Sequence, residues 1–441
     1  MLNSSFQASQ EEIKHAEDLL QFIKTSPSPF HAVQSVKEHL GPLGFKELKF
    51  EDKWVILPKG KYIVSRNGSA LIAIVLGESS PEKAGFHILG THTDSPTFRL
   101  KPSPIIPVEG KYVKLNVETY GGPILNTWLD RPLALAGRVV LKGRSPYHPQ
   151  SVLFQSPSPL LTIPNLAIHL NHKVNEGFEL NKQKDLLPLL GMLGEGLEKE
   201  NVLVNHFSEL LQVAPEEIID FDMVLFEYEN GSIIGLNQDF ISSSRLDDLA
   251  MVQAGTWALA QTESNQVTSI LACFDNEEVG STSKQGAASP LLASVLERIM
   301  LALGKNREEY YQALAQSFMI SADMAHALHP NAVEKHDPVN KPVLNGGPVI
   351  KLSANQSYTS DAESTAIFRG ICEEAQVPVQ IFVNRSDERG GSTIGPISTT
   401  HLDIRSVDVG NSLLGMHSIR ELGGVKDHLA MSKVFKQFFM D

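Results

Sequence analysis

Strand-like apolar segments alternate with helix-like segments from about residue 235 to the end of the chain. The strand segments are 267–274, 349–352, 379–383 and 404–409, and helices are predicted over 248–261, 290–304, 307–318, 361–375 and 426–440. Parallel strands need a long connection between them, and that connection is usually a helix. The alternation therefore predicts an α/β domain with a mainly parallel sheet and helices on both of its faces.

The first 100 residues predict further elements of the same domain. Amphipathic helices are expected over 11–24 and near 31–40, then a hairpin of strands 61–65 and 70–76, and a buried strand over 86–90. The middle of the chain differs, because short valine and leucine runs with proline and glycine between them favour antiparallel strands. We predict one α/β domain from residues 1–100 and 235–441, interrupted by a β-rich insert over 101–234. Within the insert, residues 171–200 are expected to form an exposed loop with a short helix.

Composition limits the classes of function. The 441 residues carry a formal net charge of −13, which disfavours nucleic acid and anionic membrane surfaces as partners. With only two cysteines, Cys273 and Cys372, a disulfide scaffold is excluded. The N-terminus lacks the pattern of a secretory signal, and no apolar run is long enough to span a bilayer. We expect a cytoplasmic protein.

Polar residues that can hold a metal or move a proton follow the predicted strands at several separate places. Ligand sites in open parallel sheets gather at the carboxyl ends of the strands, so we expect these side chains to converge. They are His92, Asp94, Asp247, Asp248, Glu277, Glu278, Asp323 and His417.

Two histidines and several carboxylates form a donor set that suits Zn²⁺. The set is too large for one tetrahedral ion, whereas a carboxylate that bridges two ions accounts for all the ligands. Of the adjacent Glu277 and Glu278, one is expected to bind metal while the other takes a proton from water.

Each motif alone also has a purely structural explanation. The His-Thr-Asp sequence suits a surface turn, the paired aspartates suit a helix cap, the paired glutamates suit a solvated face, and the last histidine suits a core position. The occurrence of all of them in one chain, each after an apolar strand, favours the metal site.

Stretches of sequence that are similar to those of one known family occur in the same order along almost the whole chain. Three of them are His92-Thr-Asp-Ser-Pro96, Asn276-Glu-Glu-Val-Gly-Ser281 and Met416-His-Ser-Ile-Arg-Glu421. The others cover 22–33, 163–170, 245–248, 321–331, 347–351 and 392–396. In these stretches the chain resembles the aspartyl aminopeptidases, the M18 family of metallopeptidases.

The resemblance implies a role for each residue of the site. Glu277 looks like the general base, and Asp94 looks like the carboxylate that orients the ring of a metal-bound histidine. In similar enzymes the peptide bond after the bridging aspartate is cis, which here is the Asp247–Asp248 bond. Two Zn²⁺ ions per subunit are implied, with Co²⁺ or Mn²⁺ as an alternative in one of the sites. The residues that look like their ligands, with Asp247 bridging, are His92, Asp247, Glu278, Asp323 and His417.

The resemblance also concerns the substrate and the assembly. Lys351 corresponds to the lysine that faces an acidic side chain of the substrate, although its strand context alone suits a surface lysine. His169 resembles a histidine that reaches the active site of a neighbouring subunit from the inserted domain. Similar enzymes assemble as tetrahedral dodecamers, in which the inserted domain forms dimer contacts. His326 and Gly391 are further candidates for substrate contacts, with core packing and a tight turn as their structural alternatives.

Three places depart from the family pattern. Ser357 stands where relatives commonly carry arginine, residues 386–390 differ from the usual segment before a glycine turn, and Asp248 replaces a frequent asparagine. The first two bear on the strictness of an acidic preference.

The predicted function is hydrolysis of the N-terminal residue, Asp or Glu, from peptides with a free N-terminus. The alternatives are an aminopeptidase of the same family with neutral or broad specificity, a two-zinc deacylase or carboxypeptidase, and a self-assembling scaffold without catalysis.

Overall fold

The computed structural model of the protein describes residues 7–193, 201–263, 265–388 and 390–440. The chain divides into two compact units. The first consists of Met1–Asp94, Gly231–Met416 and Glu421–Asp441, and the second consists of Ser95–Asn230 and His417–Arg420. The role predicted for residues 101–234, oligomerisation, stays a prediction.

The helices of the described residues are α1 (Gln10–Thr25), α2 (Pro29–Leu40), α3 (Pro81–Ala84), α4 (Val202–Leu211), α5 (Leu246–Ala260), α6 (Leu291–Ala302), α7 (Arg307–Gln316), α8 (Ala362–Glu374), α9 (Ile394–Leu402) and α10 (Val425–Met440). Seven of these helices, α1, α2, α5, α6, α7, α8 and α10, begin and end close to the positions that the hydrophobic pattern predicts.

The strands of the first unit, in chain order, are β1 (Lys46–Glu47), β2 (Lys61–Arg66), β3 (Ala70–Val75), β4 (Phe86–His92), β11 (Ser232–Ile234), β12 (Phe240–Ser243), β13 (Thr268–Phe274), β14 (Phe318–Ala322), β15 (Ala325–His326), β16 (Val349–Leu352), β17 (Gln380–Val383), β18 (Arg405–Gly410), β19 (Ser412–Leu414) and β20 (Glu421–Gly424). Those of the second unit are β5 (Thr97–Val108), β6 (Tyr112–Tyr120), β7 (Leu133–Ser145), β8 (His148–Gln155), β9 (Leu189–Met192) and β10 (Ile218–Glu227).

A nine-stranded sheet in the order β1-β2-β3-β13-β4-β14-β18-β16-β17 forms the centre of the first unit. Five of its eight neighbouring pairs are parallel, which confirms the predicted mainly parallel sheet. The parallel strands β13, β4, β14 and β18 lie side by side, so their carboxyl ends share one edge. A separate small sheet of the same unit has the order β11-β12-β20-β19-β15.

Helices cover both faces of the large sheet, as predicted. Along β3, Leu71 and Ala73 belong to a core cluster that includes residues of α1, α2, α5 and α10. Ile72 and Ile74 point the other way and belong to a second cluster with residues of α6 and α7. Because successive side chains of a strand face opposite sides, a strand apolar at every position is buried from both sides.

The second unit is β-rich, in agreement with the prediction for the middle of the chain. Its six strands pair antiparallel in the order β8-β7-β10-β5-β6-β9. The short helix expected within 171–200 is not found among residues 171–193, which contain turns and β9, and residues 194–200 lie outside the described part. The helix begins later, at Val202, because the apolar residues with helical spacing, Leu203 and Phe207, occur there.

The structure also bears on the predictions about membrane spans and cysteines. Within the described ranges, no helix is long and apolar enough to cross a membrane. Cys273 and Cys372 are buried thiols rather than a disulfide. Burial raises the pKa of each to about 12, so neither is a nucleophile near neutral pH.

Candidate metal centre

The arrangement of the parallel strands brings several predicted site residues to one place. His92 is the last residue of β4, Asp323 follows β14, and Glu277 and Glu278 follow β13 after a short turn. Because β4 lies between β13 and β14, these side chains leave the same edge of the sheet next to one another. Asp247 joins them from the first turn of α5.

The His92 ring is the centre of this cluster and is 1% exposed. Its Nδ1 lies 3.0 Å from the carbonyl oxygen of Asp94, and its Nε2 lies 3.4 Å from Oδ1 of Asp247 and 3.8 Å from Oδ1 of Asp323. A neutral ring that donates from Nδ1 leaves the Nε2 lone pair directed at the two carboxylates.

This donor set fits a zinc ion. Two ligand atoms about 2.1 Å from one tetrahedral ion are roughly 3.4 Å apart, which is the separation between His92 Nε2 and Asp247 Oδ1. Ligand atoms of His92, Asp247, Asp248 and Asp323 all lie within 4.8 Å of one another, and so do those of His92, Glu277 and Glu278.

Asp94 connects the histidine to the two glutamates. Its carboxylate is fully buried, lies 3.4 Å from His92 Nδ1, and accepts the backbone N–H groups of Glu277 at 3.1 Å and Glu278 at 3.2 Å. The same side chain thus fixes the ring of one proposed ligand and the turn that carries the paired glutamates. These contacts support the orienting role that the family resemblance implies for Asp94.

We expect Asp94→Asn to lower the zinc affinity of the protein by roughly 10–100-fold, the usual effect of losing a group that orients a metal ligand. Asparagine keeps one acceptor oxygen but loses the charge and replaces the other oxygen with a donor. Competition with a fluorescent zinc chelator measures the affinity. Asp403→Asn, at an exposed residue with φ of 52° that asparagine tolerates, is the matched control and should bind zinc like the wild type. Equal affinities for all three proteins would contradict the role of Asp94.

The Asp247–Asp248 peptide bond is cis, as the resemblance implies. Arg245, at the N-cap of α5, makes no side-chain cap hydrogen bond, and Asp247 and Asp248 have non-helical backbone angles within the first turn. Asp248 instead accepts the backbone N–H of His92 at 3.0 Å, and the backbone N–H of Asp247 donates to Glu421 at 3.1 Å. The frequent asparagine of the family offers the same acceptor oxygen as Asp248, so this departure preserves the contact.

Neither a role for Glu421 nor the contact between Asp248 and His92 is predicted from the sequence. Glu421 is the last residue of the stretch 416–421 that resembles the family, and this is the one sequence feature that could have indicated a role for it. Its contact with Asp247 depends on the pairing of β12 with β20, which no local pattern reveals.

The site concentrates negative charge in a buried place. Burial lowers the pKa of His92, but Asp248, Asp247 and Asp323 outweigh it and raise that pKa well above its usual value. Burial raises the pKa of Glu277 to about 8, with His92 opposing the shift and the neighbouring carboxylates reinforcing it. Divalent cations among these groups would stabilise their charged forms, which is a further reason why the residues fit a metal centre.

Lys351 lies next to this cluster and is not a surface lysine. It is 2% exposed on β16, its ammonium lies 3.6 Å from Oδ2 of Asp323, and it donates to the carbonyl of Met324 at 3.1 Å. The ring of Tyr358 packs over it at 5.3 Å. Burial lowers the pKa of Lys351, but Asp323 and Tyr358 more than offset this and raise it, so the side chain is charged. Ser357, one of the departures from the family, immediately precedes Tyr358.

Two other candidates of the first unit lie at the surface. His326 ends β15, is exposed, and has its ring 5.8 Å from that of Phe382. A Cβ atom on Gly391 would meet nothing within 4 Å, so no close approach within the chain requires glycine there. Both substrate contacts stay predictions.

The remaining two candidates belong to the second unit. His169 is exposed in the segment 164–170. His417 is a non-glycine residue with φ of 67°, and its Nδ1 lies 3.1 Å from the carbonyl oxygen of Gly122. That carbonyl is a partner of the kind that fixes the tautomer of a histidine ligand.

Comparison with known sequences yields a family and many relatives. The sequence profile of the family described as Aminopeptidase I zinc metalloprotease (M18) matches residues 22–439. A protein of Clostridium novyi described as a probable M18 family aminopeptidase 2 is 55% identical over 430 residues, covering 98% of this chain and 99% of its own length. One of Pseudomonas entomophila with the same description is 42% identical over 423 residues, covering 96% of this chain and 97% of its own length.

Solved structures with similar folds cover nearly the whole chain. Ape4, in a complex with Nbr1, superimposes with a TM-score of 0.93 at 38% identity, over 98% of this chain and 87% of Ape4. The mApe1 dodecamer of S. cerevisiae gives a TM-score of 0.86 at 29% identity, over 98% of this chain and 97% of that one.

Proposed function

The chain belongs to the M18 family of zinc aminopeptidases, and from that premise we propose that it uses two zinc ions to remove a single acidic residue, Asp or Glu, from the N-terminus of peptides. The observation that carries this proposal is the convergence of His92, Asp247 and Asp323 on one point, with the paired glutamates held beside it by Asp94.

The proposed ligands are the five residues His92, Asp247, Glu278, Asp323 and His417, with Asp247 shared between the two ions. Bound zinc would polarise the scissile carbonyl and lower the pKa of water at the site. The family resemblance adds His417 to the ligands that the first unit supplies.

Glu277 is the proposed general base. Its N–H is held by Asp94, which leaves its carboxylate to accept a proton from the attacking water and to pass it to the leaving amine. Burial, reinforced by the neighbouring carboxylates, raises the pKa of Glu277, and bound cations would oppose this shift. The surplus of carboxylates in the site also suits the free ammonium group of an N-terminus.

The acidic preference rests on Lys351. A carboxylate that leaves water needs a charged partner, and the net charge of −13 makes a local cation necessary. The buried ammonium of Lys351, 3.6 Å from the proposed ligand Asp323, can supply it beside the reacting bond.

We expect Lys351→Met, which keeps the apolar stem and removes the charge, to lower kcat/KM for an N-terminal Asp peptide roughly tenfold to a hundredfold more than for the matching Ala peptide. This is the effect of losing one hydrogen bond to a charged group, about 1.5–3 kcal/mol. Steady-state kinetics on the two peptides measure the ratio, with Lys83→Met at an exposed position as the control. Equal losses on both peptides would exclude Lys351 as the source of the preference.

We also propose that the chain forms a homo-oligomer, as the S. cerevisiae mApe1 dodecamer does, and acts in the cytoplasm. Three large apolar side chains around His169 support an interface in the second unit, because Leu166, Ile168 and Leu170 are 53%, 53% and 74% exposed. In this proposal His169 reaches the site of a neighbouring subunit.

A panel of peptides that differ in their first residue, each with a free or an acetylated amine, tests the function on zinc-loaded protein. We expect cleavage of the free Asp and Glu peptides and none of the acetylated ones. Equal cleavage of acetylated peptides would indicate a deacylase or another exopeptidase, cleavage without acidic preference would indicate a broad aminopeptidase, and no cleavage at all would favour the scaffold.

A further inference from the structure

A cleft of about 230 Å³ lies in the first unit. Its lining includes His326, three residues after Asp323, and Phe382 of β17, the strand that pairs with the Lys351 strand. The ring of Phe382 lies 6.5 Å from that of Tyr358, which packs over the Lys351 ammonium, so the cleft adjoins the place proposed for the first residue of the substrate. The cleft is therefore placed to receive the part of the substrate beyond the scissile bond.

Part of the cleft lining is rich in hydrogen-bond donors. His329 Nδ1 accepts the backbone N–H of Asn331 at 3.2 Å, and His336 Nε2 accepts the backbone N–H of His329 at 3.0 Å. A neutral imidazole that accepts through one nitrogen carries its proton on the other. His329 thus offers an Nε2–H donor and His336 an Nδ1–H donor.

Two cations add to this part of the lining. Lys335 lies 2.6 Å from Glu388, and the side chains of the pair are 62% and 42% exposed. Arg385 binds Asp387 through Nε at 2.7 Å and through Nη2 at 3.1 Å, and its Nη1 donates to the carbonyl oxygen of Glu334. A guanidinium has five N–H donors, so Arg385 keeps two for an incoming anion. An exposed single-contact pair such as Lys335–Glu388 contributes little to stability, so an anion can replace Glu388 at small cost.

Another part of the lining is apolar and includes Phe382, Val383 and Leu413. A short methylene chain can pack on these side chains while a terminal carboxylate reaches the donors. A glutamate side chain has this combination of groups, and so does the C-terminal residue of a short peptide.

We propose that this cleft binds a carboxylate of the substrate on the leaving side of the scissile bond. The inference rests on the proposed aminopeptidase function and adds a second point of recognition to it. His329, His336 and Arg385 donate to the carboxylate, and Lys335 exchanges Glu388 for it.

The peptides Asp-Glu-Ala and Asp-Gln-Ala test this directly, because their second residues have nearly the same shape and differ in charge. We expect the wild type to favour Asp-Glu-Ala in kcat/KM by about tenfold, the effect of one charge-assisted hydrogen bond. Arg385→Ala should bring the ratio close to one. Arg307→Ala, at an arginine 70% exposed on α7 and outside the cleft, should keep the wild-type ratio. Arg385→Gln serves as a second variant if the alanine variant is unstable.

A second pair of substrates, Asp-Ala and Asp-Ala amide, identifies the source of the carboxylate. A preference for the free acid that disappears in Arg385→Ala assigns the cleft to the C-terminus of dipeptides, whereas a preference only in the first pair assigns it to an acidic side chain. Cleavage of all four peptides with both ratios near one, or ratios that Arg385→Ala leaves unaltered, overturns the cleft proposal and leaves the proposed function standing. If none of the four peptides is cleaved, both proposals fail.

Discussion

Glu277→Gln is expected to lower kcat by about 10²–10⁴-fold, the contribution of a general base, while zinc content and assembly remain those of the wild type. Glutamine has nearly the shape of glutamate and keeps the backbone N–H that donates to Asp94, so the turn after β13 is preserved. What it lacks is a carboxylate that accepts the proton of water. Hydrolysis of an N-terminal Asp peptide and zinc analysis on the same preparation measure the two effects.

The neighbouring glutamate provides the informative comparison for this prediction. Glu278→Gln should reduce zinc content as well as turnover, because Glu278 is the proposed ligand of the pair. Glu308→Gln, at an exposed position in the first turn of α7, should change neither. Loss of zinc from Glu277→Gln with retention in Glu278→Gln would reverse the two roles, and high activity of Glu277→Gln would remove the base assignment.

His92→Ala is expected to abolish detectable turnover and to leave fewer than two zinc ions per chain. The ring contributes the only nitrogen among the clustered donors of the first unit described above, and removing it leaves mutually repelling carboxylates with an incomplete ligand set. Stabilisation of transition-state charge by a metal amounts to several kcal/mol, so losing one ion costs roughly a thousandfold or more in rate.

Zinc analysis and peptide hydrolysis measure this second prediction, and the variant should not recover when zinc is added in excess. His39→Ala, at an exposed histidine near the end of α2, is the matched control and should retain both metal and activity. A His92→Ala protein that holds two zinc ions would show that the ligand set is wrong.

The main elements of the first unit could be predicted because their signals are local. The strand β13 is apolar over most of its length, and the helices α5 and α10 have long apolar or periodic patterns. The helix α9 was missed because it begins Ile394-Gly395-Pro396 and continues with serine and threonine, which are weak helix formers. The strands β15, β19 and β20 are two to four residues long, too short to show a period.

The residues of the metal centre could be predicted from the sequence better than the contacts between them. His92, Asp247 and Asp323 carry a local signal, a polar group directly after or beside a buried element. The double acceptor role of Asp94 requires the turn after β13 to come back to β4, and the burial of Lys351 requires β16 to lie inside the sheet. The Asp94 contacts join residues 183 and 184 positions apart, and the place of β16 depends on its pairing with β17 and β18, so only the folded chain reveals them.

Anomalous X-ray diffraction at the zinc edge, from crystals of zinc-loaded protein, tests the central claim most directly. The account predicts two peaks about 3.5–4 Å apart, each about 2.0–2.2 Å from a different carboxylate oxygen of Asp247, with His92 Nε2 bound to one of them. A single peak, or peaks beyond bonding distance of His92 and Asp247, would contradict it.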